Sequence, residues 1–247
     1  MRKVFLLGTA VLALTAGAQA AFFDNFDSYA NQAAFNAVWT PGTAAMTLDT
    51  DGSPAPQSSP NTIAQGLDAA AAFRNLGADS VQLRNVDFSF DFYDGGAALG
   101  RTYALLESRG SSPTASREEG LNQIIAIGKY NGLATTKYSG RIAFGSINWF
   151  NLDAPTSPDR SVGWHTMRIV GDGAPAPTLT FYVDGKIGKQ VTLTQAQGDV
   201  LMNWVQVGSN LTSATTANFD NVSVTPEPAT LGFLALAGLA MLRRRRA

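Results

Sequence analysis

The 247-residue chain contains no cysteine and a single histidine, His165. No disulfide can staple it, and a zinc site of the Cys/His kind has no ligands to form from. A Cys-His nucleophile system is impossible, and a Ser-His-Asp one would have to run through His165. Charge is scarce as well, with Asp, Glu, Lys and Arg making up 15% of the residues and a formal net charge of -1. Six of the basic residues, Arg2, Lys3 and Arg243 to Arg246, sit at the two ends. The middle is therefore mildly acidic, and its lack of a basic cluster excludes the electrostatic footprint of a nucleic-acid partner.

What the ends do contain is ordered. Arg2 and Lys3 precede an apolar stretch from Val4 to Leu14, followed by the small-residue pattern Ala18-Gln19-Ala20. These three parts predict a secretory signal peptide over residues 1–20, cleaved after Ala20. At the other end, Pro226-Glu227-Pro228 leads into an apolar run from Ala229 to Leu242, closed by Arg243, Arg244, Arg245 and Arg246. That run falls short of the roughly 20 residues that span a bilayer comfortably. Its arginines are expected to stay on the cytoplasmic side.

A Pro-Glu-Pro motif, a short apolar helix and a terminal arginine cluster together resemble the PEP-CTERM sorting signal of Gram-negative bacteria, over residues 225–247. The resemblance implies an exosortase-type membrane protease as partner, transient anchoring in the inner membrane and a mature end near Thr225 or Pro226. It also implies residence in the cell envelope, at the cell surface or in an extracellular matrix. Thr225 stands where that family often has valine. An ordinary C-terminal anchor that is never cut shares the same physical features and remains the alternative.

Removing both ends leaves residues 21–224, about 200 residues, which suit one all-β domain. Alternation of period two dominates from residue 81, as in Val86-Asp87-Phe88-Ser89-Phe90-Asp91-Phe92-Tyr93, where one face is apolar and the other wet. Comparable runs are Leu121 to Gly128, Arg141 to Phe150, Trp164 to Val170, Leu179 to Val183, Val205 to Gly208 and Asp220 to Val224. Asp184-Gly185 between apolar runs predicts a hairpin. Ser28 to Trp39 reads as the one short helix, capped by Ser28, and Ala69 to Leu76 as a strand. Loops are expected over Thr50 to Thr62, Glu107 to Gly120 and Asn151 to Ser161. The spacing argues for an antiparallel two-sheet sandwich or jelly roll.

Three stretches are similar to the laminin-G/concanavalin A-like sandwich of bacterial surface proteins. They are Phe23-Asp24-Asn25-Phe26-Asp27-Ser28-Tyr29, the pair Gly163-Trp164-His165-Thr166 with Phe181-Tyr182-Val183-Asp184-Gly185, and Phe219-Asp220-Asn221-Val222-Ser223-Val224. The resemblance implies a jelly roll with its first and last strands adjacent. It also implies a structural calcium ion held by Asp24, Asp27 and Asp220, against the reading that these aspartates only turn the chain and face solvent. Trp149, at a loop edge, is the ring expected to meet a polysaccharide, while most other large aromatics belong in the core. The carboxylates Asp87, Asp91, Glu118 and Glu119 lack the closely alternating Glu-x-Asp-x-x-Glu strand of a concanavalin-like hydrolase. His165 alternates with Met167 and Ile169 and reads as a core residue. No catalytic residue is expected. The leading function is thus a polysaccharide-binding or matrix-supporting surface protein; a purely structural one or a divergent glycan hydrolase or lyase are the alternatives.

Overall fold

The computed structural model describes residues 22–109, 123–133, 136–144, 148–213 and 215–226. The expected signal peptide, the sorting tail from Glu227 onward, and Glu118 and Glu119 lie outside the described residues. In chain order the strands are β1 (Phe22–Asp24), β2 (Thr40–Pro41), β3 (Ala44–Ala45), β4 (Thr47–Asp49), β5 (Thr62–Gln65), β6 (Ala70–Asn75), β7 (Val81–Gln82), β8 (Val86–Asp94) and β9 (Thr102–Ser108). They continue as β10 (Gln123–Lys129), β11 (Ser139–Ala143), β12 (Trp149–Asn151), β13 (Gly163–Gly171), β14 (Thr178–Val183), β15 (Lys186–Thr192), β16 (Leu201–Met202), β17 (Trp204–Val207) and β18 (Ala217–Pro226).

Two eight-stranded sheets carry the fold. The first runs β15-β14-β13-β8-β18-β5-β4, with β1 also on β18; the second runs β12-β11-β10-β9-β17-β6-β2, with β3 also on β6. The expected all-β, two-sheet sandwich is the observed architecture, and its first and last strands pair through Phe22 opposite Val224. Strand β18 also reaches two residues past 224, setting Thr225 and Pro226 opposite Asp87 and Val86.

The alternation in β8 works as its sequence dictates. Phe88, Phe90 and Phe92 point into the space between the sheets and are buried, while Asp87, Ser89, Asp91 and Tyr93 are half-exposed. Leu106, Ile125, Ile127, Val205 and Val207 of the second sheet belong to the same apolar cluster. Each such side chain contributes about 1.5–3 kcal/mol by leaving water. The Asp184-Gly185 hairpin forms as well: both residues have positive φ, +52° and +71°, and Val183 pairs with Lys186 across the turn. Paired positive φ values are what a two-residue turn matched to strand twist requires.

Three expectations need correction. The helix is α1 (Gln32–Val38), and its cap is Asn31 rather than Ser28, because Asn31 Oδ1 accepts from the Ala34 amide at 3.0 Å. Arg141 to Phe150 is not one strand: β11 and β12 fold back on each other, with Arg141 opposite Trp149. Glu107 is not a loop residue but lies inside β9. That strand, Tyr103-Ala104-Leu105-Leu106-Glu107, is buried on both faces, so it has no alternation to read. A second helix, α2 (Gln195–Gly198), carries a capping box from Thr194 and Gln197.

Candidate functional site

The face of the second sheet turned away from the main core is built in cross-strand rows. Trp149, Arg141, Ala126, Leu105, Gln206 and Phe73 stand opposite one another in succession across β12, β11, β10, β9, β17 and β6. Beside that row runs a second one of Ala143, Ile124, Glu107 and Trp204. Tyr103, Leu105, Ile124, Ala126 and Ala143 form an apolar cluster there, with Trp149 packed against it. Ala71, Phe73 and Trp204 form another.

Charge is set into this dry layer. Glu107 and Arg109 pair with about 1% of each side chain accessible. Burial pulls the Arg109 pKa down to about 10, which still leaves it cationic at neutral pH. Its guanidinium lies 4.7 Å from the Phe73 ring centre and 5.9 Å from that of Trp204. Among the described residues, Glu107 Oε1, Trp204 Nε1 and Gln206 Oε1 are buried without a hydrogen-bond partner.

At one end the layer opens. Trp149 and Tyr130, both half-buried, stack at 4.2 Å with their rings 3° from parallel. Tyr103 meets Trp149 at 5.0 Å and the Arg141 guanidinium lies 5.4 Å from its ring centre. Half-buried Arg101 lies 5.9 Å from the Tyr130 ring and donates to Asn131 Oδ1 at 3.0 Å. Trp149 is therefore a member of a braced ladder of rings and cations rather than an isolated exposed ring. The sequence offered Trp149 but gave no sign of Tyr130, Arg101, Arg141, Glu107 or Gln206 as its companions, whose grouping comes from strand register.

The aspartates expected to hold calcium sit where β1, β18 and the loop around Ser58 meet. Strands β5 and β1 both pair with β18, on the two sides of an irregularity between Asp220 and Ser223. Asp24 Oδ1 accepts from the Phe26 amide, and Oδ2 from Tyr29 Oη, Trp39 Nε1 and Arg74 Nη1 at 2.6, 2.9 and 3.2 Å. Asp27 takes Asn61 N and Asn25 Nδ2. Asp220 takes Ser58 N, Ser58 Oγ and Asn221 N. Burial pushes the Asp220 pKa up, and the charge of Asp27 adds to the rise, although those donors oppose it.

All six oxygens already accept protein donors, and Asp24 is neutralised by Arg74, whereas calcium takes six to eight oxygens free to turn toward it. Among the described residues no three acidic or histidine groups gather into a metal-binding set. Asp24, Asp27 and Asp220 thus do not fit the expected calcium ion; they tie the chain's first turn to its last strand.

No protein-family model and no curated protein matches the chain. Solved structures do. The globular domain of T. cruzi calreticulin is similar at 10% identity with a TM-score of 0.54, over 86% of this chain and 90% of that one. The metal-free carbohydrate recognition domain of Emp46p is similar at 10% identity with a TM-score of 0.51, over 83% of this chain and 95% of that one. Its potassium-bound form gives 11% identity and a TM-score of 0.50, over 83% and 96%. At such identities the likeness is one of fold, and that fold is the lectin-like jelly-roll sandwich.

Proposed function

We propose that this is an exported envelope or matrix protein whose sandwich binds polysaccharide at the open end of the second sheet's outer face. The observation that carries the reading is the ladder of Arg101, Tyr130, Trp149 and Arg141. Sugar rings present aliphatic faces suited to aromatic side chains, and their hydroxyls suit guanidinium and amide donors. The neighbouring likeness to a carbohydrate recognition domain agrees with this class of ligand. The test is binding of residues 21–226 to a panel of bacterial and plant polysaccharides, with calcium and after chelation. The fragment ends at 226 because Thr225 and Pro226 belong to β18. Saturable binding that is lost in Trp149→Ala supports the reading. Binding by neither protein, from a folded domain, returns the chain to a structural matrix role.

Export and sorting rest on the two ends of the sequence. The signal peptide directs the chain out, and an exosortase-type protease cuts the tail near Pro226-Glu227-Pro228 after Arg243 to Arg246 have halted translocation at the inner membrane. Mass spectrometry of the protein from its native cells tests this: the expected product begins at Ala21 and lacks residues 229–247. An intact tail on the mature protein would sink the processing step.

A further inference from the structure

Away from the sheet face, the loop ahead of β13 and the β14–β15 turn bring three side chains together. His165 Nδ1 lies 2.8 Å from Asp184 Oδ2, and His165 Nε2 lies 3.3 Å from Ser161 Oγ. The carboxylate can only accept, so it fixes the proton of the neutral imidazole on Nδ1 and leaves Nε2 as a lone pair. Ser161 Oγ–H reaches that lone pair across 3.3 Å, and the Ser161 carbonyl oxygen, nearer at 3.0 Å, accepts from Nε2 once the imidazole is protonated. Nucleophile, base and orienting acid thus stand in the order of an acyl-transfer triad.

Each member is held by backbone or by a saturated neighbour. Asp184 Oδ1 accepts from the Thr166 amide at 3.0 Å, and the Asp184 amide donates to the Thr166 carbonyl at 2.9 Å. The residue before the serine, Arg160, is clamped: its amide donates to Thr136 O at 2.9 Å, Nε to Asp94 Oδ2 at 2.9 Å and Nη2 to Ala97 O at 2.8 Å. Gly163 then starts β13 at φ +135°, a conformation an L side chain rarely adopts. The imidazole is buried while Ser161 is exposed. Next to Ser161 opens a cleft of about 340 Å³, lined by Thr136, Asp159, Val162, Ala98 and the Asp94–Arg160 pair.

We propose that Ser161, His165 and Asp184 hydrolyse short-chain carboxylic esters. Ser161 Oγ attacks the acyl carbon and gives its proton to His165 Nε2; the carbonyl of Ser161 accepts from the imidazolium so formed. His165 returns the proton to the leaving alcohol as the ester bond breaks, leaving the acyl group on Oγ. Water, deprotonated by His165, then releases the carboxylic acid and restores the serine. The cleft's small apolar walls, Ala98 and Val162, suit a short acyl group. Ser161 and His165 are the catalytic residues, and Asp184 is a positioning residue acting through His165.

The test uses the full chain with p-nitrophenyl acetate and a fluorophosphonate probe. The expected result is one phosphonylated serine, mapped to Ser161, and a rate that falls by roughly 10³-fold or more in Ser161→Ala. Because Ser161 is exposed, that variant keeps its urea midpoint, which separates lost chemistry from lost fold. Asp184→Asn lowers kcat with KM and the urea midpoint little changed, since the imidazole loses the carboxylate that orients it; a merely structural aspartate would lower the midpoint and leave kcat in place. Undiminished hydrolysis in Ser161→Ala, or no labelling of folded wild-type protein, overturns the proposal. Polysaccharide binding at Trp149 is read out separately and does not enter either result.

Discussion

The outer faces of the two sheets obey different rules. On the first sheet, Asp87 and Arg168 form a bidentate pair at 2.7 and 2.6 Å, and Thr166 donates to Asp91 at 2.7 Å, all in contact with solvent. On the second sheet, the corresponding surface is a dry layer in which Glu107 and Arg109 are sealed against Phe73 and Trp204. Ions on the first face trade water for each other at little gain. Those on the second are cut off from water, so breaking the pair costs far more than on the first face. Among the described residues the second sheet is thus buried on both faces, and it opens outward at its Trp149 end.

The sharpest way to break this contrast is Glu107→Ala, which takes a buried carboxylate away from Arg109 and should cost about 3–5 kcal/mol in urea unfolding. Replacing Glu107 and Arg109 together by Met should recover most of that loss; a single-variant cost below about 1 kcal/mol would show that the layer is not dry. Next comes Asp94, the last residue of β8, buried on the same face as Phe88, Phe90 and Phe92. Burial alone would raise its pKa, but the hydrogen bonds from Arg160 and the Gly96 amide and the charge of Lys129 hold it below the ordinary carboxylate value. Its contribution is therefore present above the unfolded value of about 3.9 and is lost as pH falls through the lower folded one. Urea midpoints between pH 2 and 6 should show this acid-side slope in the wild type and a flatter one in Asp94→Asn.

Trp149→Ala should cost about 0.5–1.5 kcal/mol beyond its lost buried area, by removing the contacts with Tyr130 and Tyr103. Its polysaccharide binding should fall far more than its melting temperature. The smallest effect belongs to the wet face: Arg168→Ala is expected to change stability by about 0–1 kcal/mol, and a loss several times larger would erase the distinction between the two faces.

The same contrast explains what was legible in the sequence. Strands β8 and β13, with one wet face, announce themselves by alternation, and the Asp184-Gly185 turn by its composition. Strand β9 has no wet face, so Glu107 looked like the start of a loop. Asn31 could have been preferred as helix cap, since Phe35 and Trp39 follow at helical spacing. The calcium set failed because proximity in the fold says nothing about which donors a carboxylate already holds; Arg74 reaches Asp24 from β6, fifty residues on. Ser161, His165 and Asp184 carry no sequence signal as a group, since it is the β13–β14–β15 meander that returns residue 184 to residue 165.

Strand β18 is the last described stretch of chain, yet it lies inside the first sheet, bonded to β8 along one edge and to β5 and β1 along the other. Until residues 217–226 arrive, β8 lacks a neighbour on that side and β1 has no strand to join. The pairing of β1 with β18 closes a loop of nearly the whole domain, a contact of very high sequence separation and correspondingly slow to form. A chain emerging N-terminus first would therefore stay open almost to its end and lock in one late step.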